Sequence, residues 1–372
     1  MGAPALTAEP VCWLGAPGPG GLALPPARPS RVALYAPRGV YLDDRVLVVA
    51  DTGNHRVLIW HGLPEVDHQP ADVVLGHGDF ETEGPGLLHL PTAVAVVEGC
   101  LVVADAWHHR LLVWDGLPED NGCPPDAVIG QSDLDGTAPN GGGATPASGL
   151  RWPYGFAFVD GWFYVADTGN RRVLGWRAIP EGLRPPDLVL GQPDAASGEE
   201  NRGRGVGPDS FRWPHALAGD GITLYVADAG NHRVLGFTPP PVADRAANLV
   251  LGQEDFDRAF ELPDIPQGPR RLRFPYGVAL CAGYLAVADT ANNRVLLFPG
   301  PPRRGAYLAA THVIGQADFE GTGENRWQVV GRDTLCWPYG LWGHGDLLAI
   351  ADSGNNRVVL WRLAACEEGA TC

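Results

Sequence analysis

Apolar residues fall in short runs along this chain, and one arrangement of apolar and polar residues recurs six times. Each copy is an apolar run that ends in Ala-Asp and is followed by a small turn, a variable residue and Arg-Val or Arg-Leu. The aspartates of the six copies are Asp51, Asp105, Asp167, Asp228, Asp289 and Asp352. Successive copies are 54, 62, 61, 61 and 63 residues apart, and none contains a helical pattern. Repeats of this length are typical of β-propeller blades.

Four apolar runs, bounded by turn residues, divide each repeat into four predicted strands. In the third repeat these runs cover residues 155–159, 162–166, 172–176 and 187–190. The first two runs are joined by Asp160-Gly161, a favoured two-residue hairpin turn. Because sheets this small need neighbours on both faces, radial stacking is expected. The sequence therefore predicts an all-β fold, a six-bladed β-propeller of four-stranded antiparallel blades.

A single domain is predicted over residues 1–372, with blades that start near residues 31, 90, 152, 213, 274 and 337. Five repeats end in an outer strand such as the one in LVLGQPDA, but the sixth stops after VVLWRL at Leu363. A segment that can supply the missing strand, PVCWLGAPG, lies at about residues 10–18. We expect this N-terminal strand to pair with blade six and close the ring without an open edge.

The repeat ADTGNHRV, preceded about a dozen residues earlier by Pro-x-Gly, resembles the repeat of the NHL family. The strands that contain VLGQ are similar to those of bacterial NHL-repeat proteins. This resemblance covers all six repeats and implies the propeller fold. It does not fix the function, because similar propellers serve as RNA-binding modules, protein-interaction platforms and enzymes such as the peptidylglycine-amidating lyase.

The residue between proline and the small residue of this element varies strongly among the six repeats. It is Arg38, Thr92, Tyr154, His215, Tyr276 and Tyr339 in turn. These residues begin the innermost strands and are expected to surround one mouth of the central channel. An aromatic wall with one imidazole and one fixed cation suits a small polar or anionic ligand. The alternative is that the rings only plug the channel.

The second repeat replaces the usual turn residues Thr-Gly-Asn with Ala106-Trp107-His108. This change places Trp107, His108 and His109 on the predicted binding face. Adjacent residues of a strand point to opposite sides, so His108 and His109 are not expected to bind one metal together. We treat all three as candidate ligand-binding residues. For His109, a generic turn role common to the repeats is the alternative.

An enzymatic function is the alternative to a binding module. In the amidating lyase, the zinc-binding histidines follow such prolines in three blades, and here only His215 matches. The resemblance therefore does not supply a three-histidine zinc site. A metal-dependent lyase, hydrolase or oxidase would have to use His215 and the tyrosines at the channel mouth, with a metal ion bound there.

The charge and composition of the chain limit the partners and the cellular compartment that we expect for it. The formal net charge is −16, and all 27 basic residues are arginine, so no lysine chemistry is available. A net acidic chain is not expected to bind nucleic acid, and its surface would favour a basic patch on a protein partner. No stretch is long and apolar enough to predict a membrane span. Seven cysteines without a CxxC pair predict reduced thiols in a cytoplasmic protein.

Overall fold

Six antiparallel sheets surround a central axis in a computed structural model of the chain, which describes residues 6–16, 28–143, 148–261 and 266–365. From the axis outward, the strands of blades 1 to 3 are β2 (Gly39–Leu42), β3 (Val46–Asp51), β4 (Arg56–His61) and β5 (Val73–Leu75); β6 (Ala93–Val97), β7 (Cys100–Asp105), β8 (Arg110–Trp114) and β9 (Ala127–Ile129); and β10 (Pro153–Val159), β11 (Trp162–Asp167), β12 (Arg172–Trp176) and β13 (Leu188–Leu190).

The strands of blades 4 to 6, in the same order, are β14 (Pro214–Gly219), β15 (Leu224–Asp228), β16 (Arg233–Phe237) and β17 (Leu249–Leu251); β18 (Pro275–Cys281), β19 (Tyr284–Asp289), β20 (Arg294–Pro299) and β22 (His312–Ile314); and β23 (Pro338–His344), β24 (Leu347–Asp352), β25 (Arg357–Ala365) and β1 (Leu6–Gly15). Blade 4 also contains a fifth strand that the sequence did not predict. This strand, β21 (Gly305–Ala306), pairs in parallel with β17.

A one-turn 3₁₀ helix follows the second strand of every blade. These turns are Thr52–Asn54, Ala106–His108, Thr168–Asn170, Ala229–Asn231, Thr290–Asn292 and Ser353–Asn355. We call the face of the propeller that carries them the upper face. Three further 3₁₀ helices are Pro139–Gly142, Glu200–Gly203 and Glu324–Trp327. Within the described ranges, no helix has the length and apolar character needed to cross a membrane.

The second strands are buried along almost their whole length, because adjacent blades cover both faces of each sheet; only Cys100 and Leu347, the first residues of β7 and β24, are partly exposed. Every residue of β3, β11 and β19 is buried. Strands covered on both sides need apolar side chains at successive positions rather than at alternate ones. This requirement explains the continuous apolar runs in the sequence.

A buried ion pair joins the second and third strands of each blade at the upper face. In blade 1, Nε of Arg56 lies 2.8 Å from Oδ2 of Asp51, and both side chains are inaccessible to solvent. The other guanidinium N–H groups of Arg56 donate to the carbonyls of Ser30, Ala33 and Phe80. Equivalent pairs are Asp105–Arg110, Asp167–Arg172, Asp228–Arg233, Asp289–Arg294 and Asp352–Arg357. Such buried charges are tolerated when their polar atoms are hydrogen-bonded.

The N-terminal strand closes the ring, as the sequence predicts. Strand β1 pairs with β25 from Leu6, opposite Ala365, to Gly15, opposite Arg357, with a bulge between Pro10 and Cys12. Strand β1 therefore begins at Leu6, earlier than the predicted start at about residue 10. Residues 17 and 18 of the predicted strand lie outside the described residues.

Trp13 anchors this strand. Its indole is buried, its Nε1 donates to the Ala16 carbonyl at 3.0 Å, and the Arg357 guanidinium lies 4.0 Å from its ring centroid. The Trp13 backbone N–H donates to the Asp67 carboxylate at 3.0 Å, and the carboxylate also pairs with Arg332. The strand is thus held by side chains of blades 1 and 6 as well as by its own ladder.

The described cysteines, Cys12, Cys100, Cys123, Cys281 and Cys336, are free thiols. Burial is the main reason that the pKa of Cys12 is raised to about 11, with a further contribution from Asp67. A protonated, buried thiol is a poor nucleophile, which agrees with a packing role. Cys366 and Cys372 lie outside the described residues.

We expect Trp13→Ala to destabilise the propeller by about 3–5 kcal/mol, because it removes a buried indole and weakens the closing strand. Thermal unfolding of the variant, followed by circular dichroism, measures this loss. Trp327→Ala is the matched control, because Trp327 is 82% exposed and its removal leaves no cavity. Equal melting temperatures for the two variants would refute the closing role of β1.

Candidate functional site

The six variable residues that follow the prolines form one ring at the upper mouth of the channel, and we call them the mouth ring. Its members Arg38, Thr92, Tyr154, His215, Tyr276 and Tyr339 all line the same central cavity. The cavity has a volume of about 440 Å³. This volume lies within the range of about 300–1,000 Å³ that is usual for small-molecule sites.

Four consecutive blades supply the aromatic part of the mouth ring. The ring centroid of His215 lies 4.4 Å from that of Tyr154 and 4.4 Å from that of Tyr276. Tyr276 stacks on Tyr339 at 4.8 Å with an interplanar angle of 13°, and the Arg38 guanidinium lies 4.7 Å from the Tyr339 centroid. The side chains of blades 3 to 6 and blade 1 therefore contact one another in sequence.

Glycine at the following position allows the inner strands to approach this closely. A Cβ atom on Gly340 would lie 2.0 Å from the Arg38 carbonyl oxygen, and one on Gly277 would lie 2.1 Å from the Tyr339 carbonyl oxygen. A Cβ on Gly155 would lie 2.6 Å from the His215 carbonyl oxygen. In these three blades the Pro-x-Gly element thus sets the spacing of the mouth ring, because a Cβ would meet the backbone of the next blade. Blades 2 and 4 have Ala93 and Ala216 at this position.

Hydroxyl groups of the one-turn helices hold four of the six mouth prolines against the preceding blade. Oγ1 of Thr52 donates to the Pro91 carbonyl at 2.7 Å, and Oγ1 of Thr290 donates to the Pro338 carbonyl at 2.6 Å. Thr168 and Ser353 make the same contact with Pro214 and Pro37. Blades 2 and 4 have Ala106 and Ala229 at this position; in blade 2, the Thr92 hydroxyl donates to the Tyr154 carbonyl at 3.0 Å instead.

His215 is a neutral imidazole at physiological pH. Burial among the aromatic rings is the main cause that lowers its pKa to about 3, and the positive charge of Arg38 contributes in the same direction. A hydrogen bond with the Tyr276 backbone opposes this shift. The flanking phenol of Tyr276 has its pKa raised to about 12, mainly by burial. The mouth ring therefore has one positive charge, that of Arg38.

The Arg38 guanidinium has no carboxylate partner among the described residues. Salt bridges occupy many other arginines, but none joins Arg38 to an acidic side chain within 4.0 Å. Its contact with the face of Tyr339 leaves the N–H donors in the guanidinium plane available. An unpaired guanidinium beside a cavity is a suitable anion-binding group.

Trp107, His108 and His109 lie on the upper face but not on the lining of the central cavity. Nδ1 of His108 lies 2.9 Å from Oδ2 of Asp105, the place that an asparagine amide takes in the other five blades. The Trp107 indole is 42% exposed, and its ring centroid lies 6.1 Å from that of Trp152. These residues form a separate surface beside the mouth.

His109 has a clear structural contact. Its Nδ1 accepts a hydrogen bond from the Trp152 backbone N–H at 3.0 Å, so the neutral ring carries its proton on Nε2. The residue after the one-turn helix makes the same contact with the next blade in four other blades. These acceptors are His55 (Leu90 N–H), His232 (Phe274 N–H), Asn293 (Trp337 N–H) and Asn356 (Ala36 N–H).

Sequence reasoning missed two features of the upper face. Aromatic residues that directly precede four mouth prolines are partly exposed around the mouth: Trp152, Trp213, Phe274 and Trp337, the last of which is 41% exposed. His89 lies between His55 and His108, with ring centroids 5.1 and 5.2 Å away. The aromatic residues could have been found from their fixed place before each proline. His89 has no such signal.

The mouth ring offers few metal ligands. Among the described residues, no group of three or more His, Cys, Asp or Glu side chains is arranged to hold a metal ion. The tyrosines beside His215 pack against it through their rings. A metal ion at the channel mouth would have to be held by His215 and tyrosine hydroxyls, and this site stays a prediction.

Comparisons with known proteins agree with this architecture. The family model described as NHL repeat matches residues 34–60. Similar solved structures include Kuenenia stuttgartiensis hydrazine synthase (TM-score 0.51, 14% identity, 93% of this chain and 99% of that chain) and virginiamycin B lyase from Staphylococcus aureus (TM-score 0.45, 10% identity, 97% and 100%). At these identities the similarity concerns the fold alone. No match to this chain is found among curated protein sequences.

We expect Gly340→Ala to destabilise the protein by roughly 1–3 kcal/mol or more, because the added Cβ meets backbone that cannot move freely. Chemical denaturation with the same probe for both proteins measures the difference. Gly205→Ala is the matched control, because a Cβ at Gly205 has no atom within 4 Å. A Gly340→Ala protein as stable as the control would show that the spacing of the mouth ring does not depend on this glycine.

The buried neutral histidines predict that stability falls as the solution becomes acidic. Burial lowers the pKa of His109 and of His232 to about 4, whereas an unfolded histidine titrates near 6.5. Between these values the unfolded chain binds more protons, so the free energy of unfolding decreases as pH falls from about 6.5 to 4.

The double variant His109→Asn, His232→Asn keeps a hydrogen-bond acceptor at both positions, as Asn293 and Asn356 do, and removes the titrating groups. Its melting temperature should decrease less than that of the wild type between pH 7 and pH 5. Parallel pH profiles for the two proteins would show that these imidazoles are not the source of the acid sensitivity.

Proposed function

We propose that this six-bladed β-propeller, which matches the NHL-repeat family model at residues 34–60, is a binding module that takes a small anionic ligand at the mouth ring. The fold is consistent with a binding or interaction role. The ligand site is our proposal, and it is supported by the side chains that converge at one end of the channel.

The observation that carries this proposal is the unpaired guanidinium of Arg38. Its positive charge faces a cavity, lies against Tyr339 and has no carboxylate within salt-bridge distance among the described residues. Acidic residues are in excess in this protein, which has a formal net charge of −16, yet none of the described ones pairs with Arg38. The guanidinium is therefore available to an external anion. A carboxylate can accept two parallel hydrogen bonds from such a group.

The aromatic residues give the site its second element of recognition. Tyr154, His215, Tyr276 and Tyr339 form a wall of rings opposite Thr92. Because His215 is neutral and hydrogen-bonded to the Tyr276 backbone, it leaves one ring nitrogen for a ligand and adds no charge. The site thus favours a ligand with one negative group and a flat or apolar body.

A protein partner on the upper face is the second candidate. It is favoured by the exposed indoles of Trp107, Trp327 and Trp337, since tryptophan is enriched at protein interfaces. A partner that docks through these indoles should lose affinity on Trp337→Ser and keep it on Arg38→Gln. A ligand of the mouth ring should show the reverse.

Calorimetric titration with benzoate tests the anion site. We expect Arg38→Gln to weaken benzoate binding on the order of 10- to 100-fold, because a hydrogen bond to a charged group is lost. The matched control is Arg304→Gln, which removes an exposed arginine from the loop before β21. Benzamide, which has the same shape and no charge, should bind the wild type no better than it binds Arg38→Gln. Equal benzoate affinity for the wild type and Arg38→Gln would overturn the proposal.

A further inference from the structure

We infer that the ligand of the mouth ring is an amphipathic carboxylate, held with its carboxylate at Arg38 and its apolar tail along the channel. This inference rests on the proposed function, because it identifies the body of the molecule whose anionic group Arg38 binds. The inference can fail while the proposed function holds, and the experiment below separates that result from failure of the proposed function.

The channel below the mouth ring has apolar side chains. Val96, Ala157, Phe158, Ala218 and Leu280 line the cavity and are half-buried, so part of each side chain faces the open space. They come from the inner strands of blades 2 to 5. An apolar tail placed there would cover the exposed parts of these side chains. Binding would then gain free energy in proportion to the apolar area removed from water.

The opposite end of the channel has the opposite charge. The turns that join the first and second strands open on the lower face and contain Asp43, Glu98, Asp160, Asp220 and Asp346. Asp220 pairs with Arg303 and Asp346 with Arg362, and Arg45 lies in the turn of blade 1. Glu98 is exposed, lines the cavity and has no arginine partner among the described residues. Its charge repels an anionic group at the lower end, whereas Arg38 attracts one at the upper end.

These two features fix the orientation of the ligand. The carboxylate is placed at the upper mouth, about one strand length from Glu98, and the tail points toward the lower face. A cation with the same tail would be placed the other way round, with its charge beside Glu98. A molecule with a carboxylate at both ends would place its second charge among the apolar side chains of the channel, nearer to Glu98 than the first.

Calorimetric titration with butanoate, hexanoate and octanoate tests the position of the tail. If each added methylene is buried in the channel, affinity should rise by about fourfold per methylene. Octanedioate should bind at least tenfold more weakly than octanoate, because its second carboxylate would be placed among the apolar side chains of the channel. Octyltrimethylammonium, whose charge would lie beside Glu98, should keep its affinity in Arg38→Gln, whereas octanoate should lose affinity in that variant. Equal affinities for butanoate and octanoate, or tighter binding of octanedioate, would overturn the inference.

A variant that fills the channel locates the tail directly. Ala157→Leu adds bulk to the lining below the mouth ring and should weaken octanoate binding at least tenfold while leaving butanoate binding within twofold. Ala218→Leu makes the same change in the neighbouring blade, so the test does not depend on one variant folding. Ala196→Leu, at an exposed loop residue, is the control and should leave both affinities unchanged.

The results distinguish the two proposals. If all three carboxylates bind with the same affinity and Arg38→Gln weakens each of them, the anion site is correct and the channel is not the tail site. If Arg38→Gln leaves the butanoate affinity unchanged, the proposed function itself fails. If octanoate binding falls with Arg38→Gln and with the channel variants, both proposals are supported.

Discussion

The buried ion pair between an aspartate and an arginine is the interaction on which the rest of the propeller depends. In each blade, one carboxylate oxygen accepts the arginine Nε–H, and the other accepts the backbone N–H of the residue two places before the mouth proline, as Asp51 does for Tyr35 and Asp167 for Arg151. The pair therefore connects the two central strands to the segment that delivers the mouth ring. Loss of either charge would leave its partner buried and uncompensated.

This network explains how a repeated scaffold can support a site that does not repeat. The carboxylates, arginines and prolines fix the backbone, so the side chain after each proline can differ without changing its position. Four blades use this freedom for Tyr154, His215, Tyr276 and Tyr339, and blade 1 uses it for Arg38. At the mouth, the backbones of the six blades are therefore alike, and the blades differ in the side chains that they carry.

The fold could be predicted from the sequence because its signals are local. Continuous apolar runs such as β11, and the missing outer strand of the last repeat, can be identified without knowing which residues meet in space. The contacts of the site could not be predicted in the same way. The hydrogen bond that His109 accepts from Trp152 and the stacking of Tyr276 on Tyr339 both cross between blades. They depend on distances between neighbouring blades, which cannot be derived from the spacing of residues within one repeat.

The pairing of β1 with β25 also has a consequence for how the protein forms. During synthesis the first strand emerges long before its partner, because the two lie at opposite ends of the described chain. The backbone donors and acceptors of β1 that face β25 stay unpaired until blade six is complete. Contacts so distant in sequence are slow to form, and unpaired strands associate readily with other chains. The strand that closes the finished ring is thus the segment most exposed to misassembly while the ring is still being built.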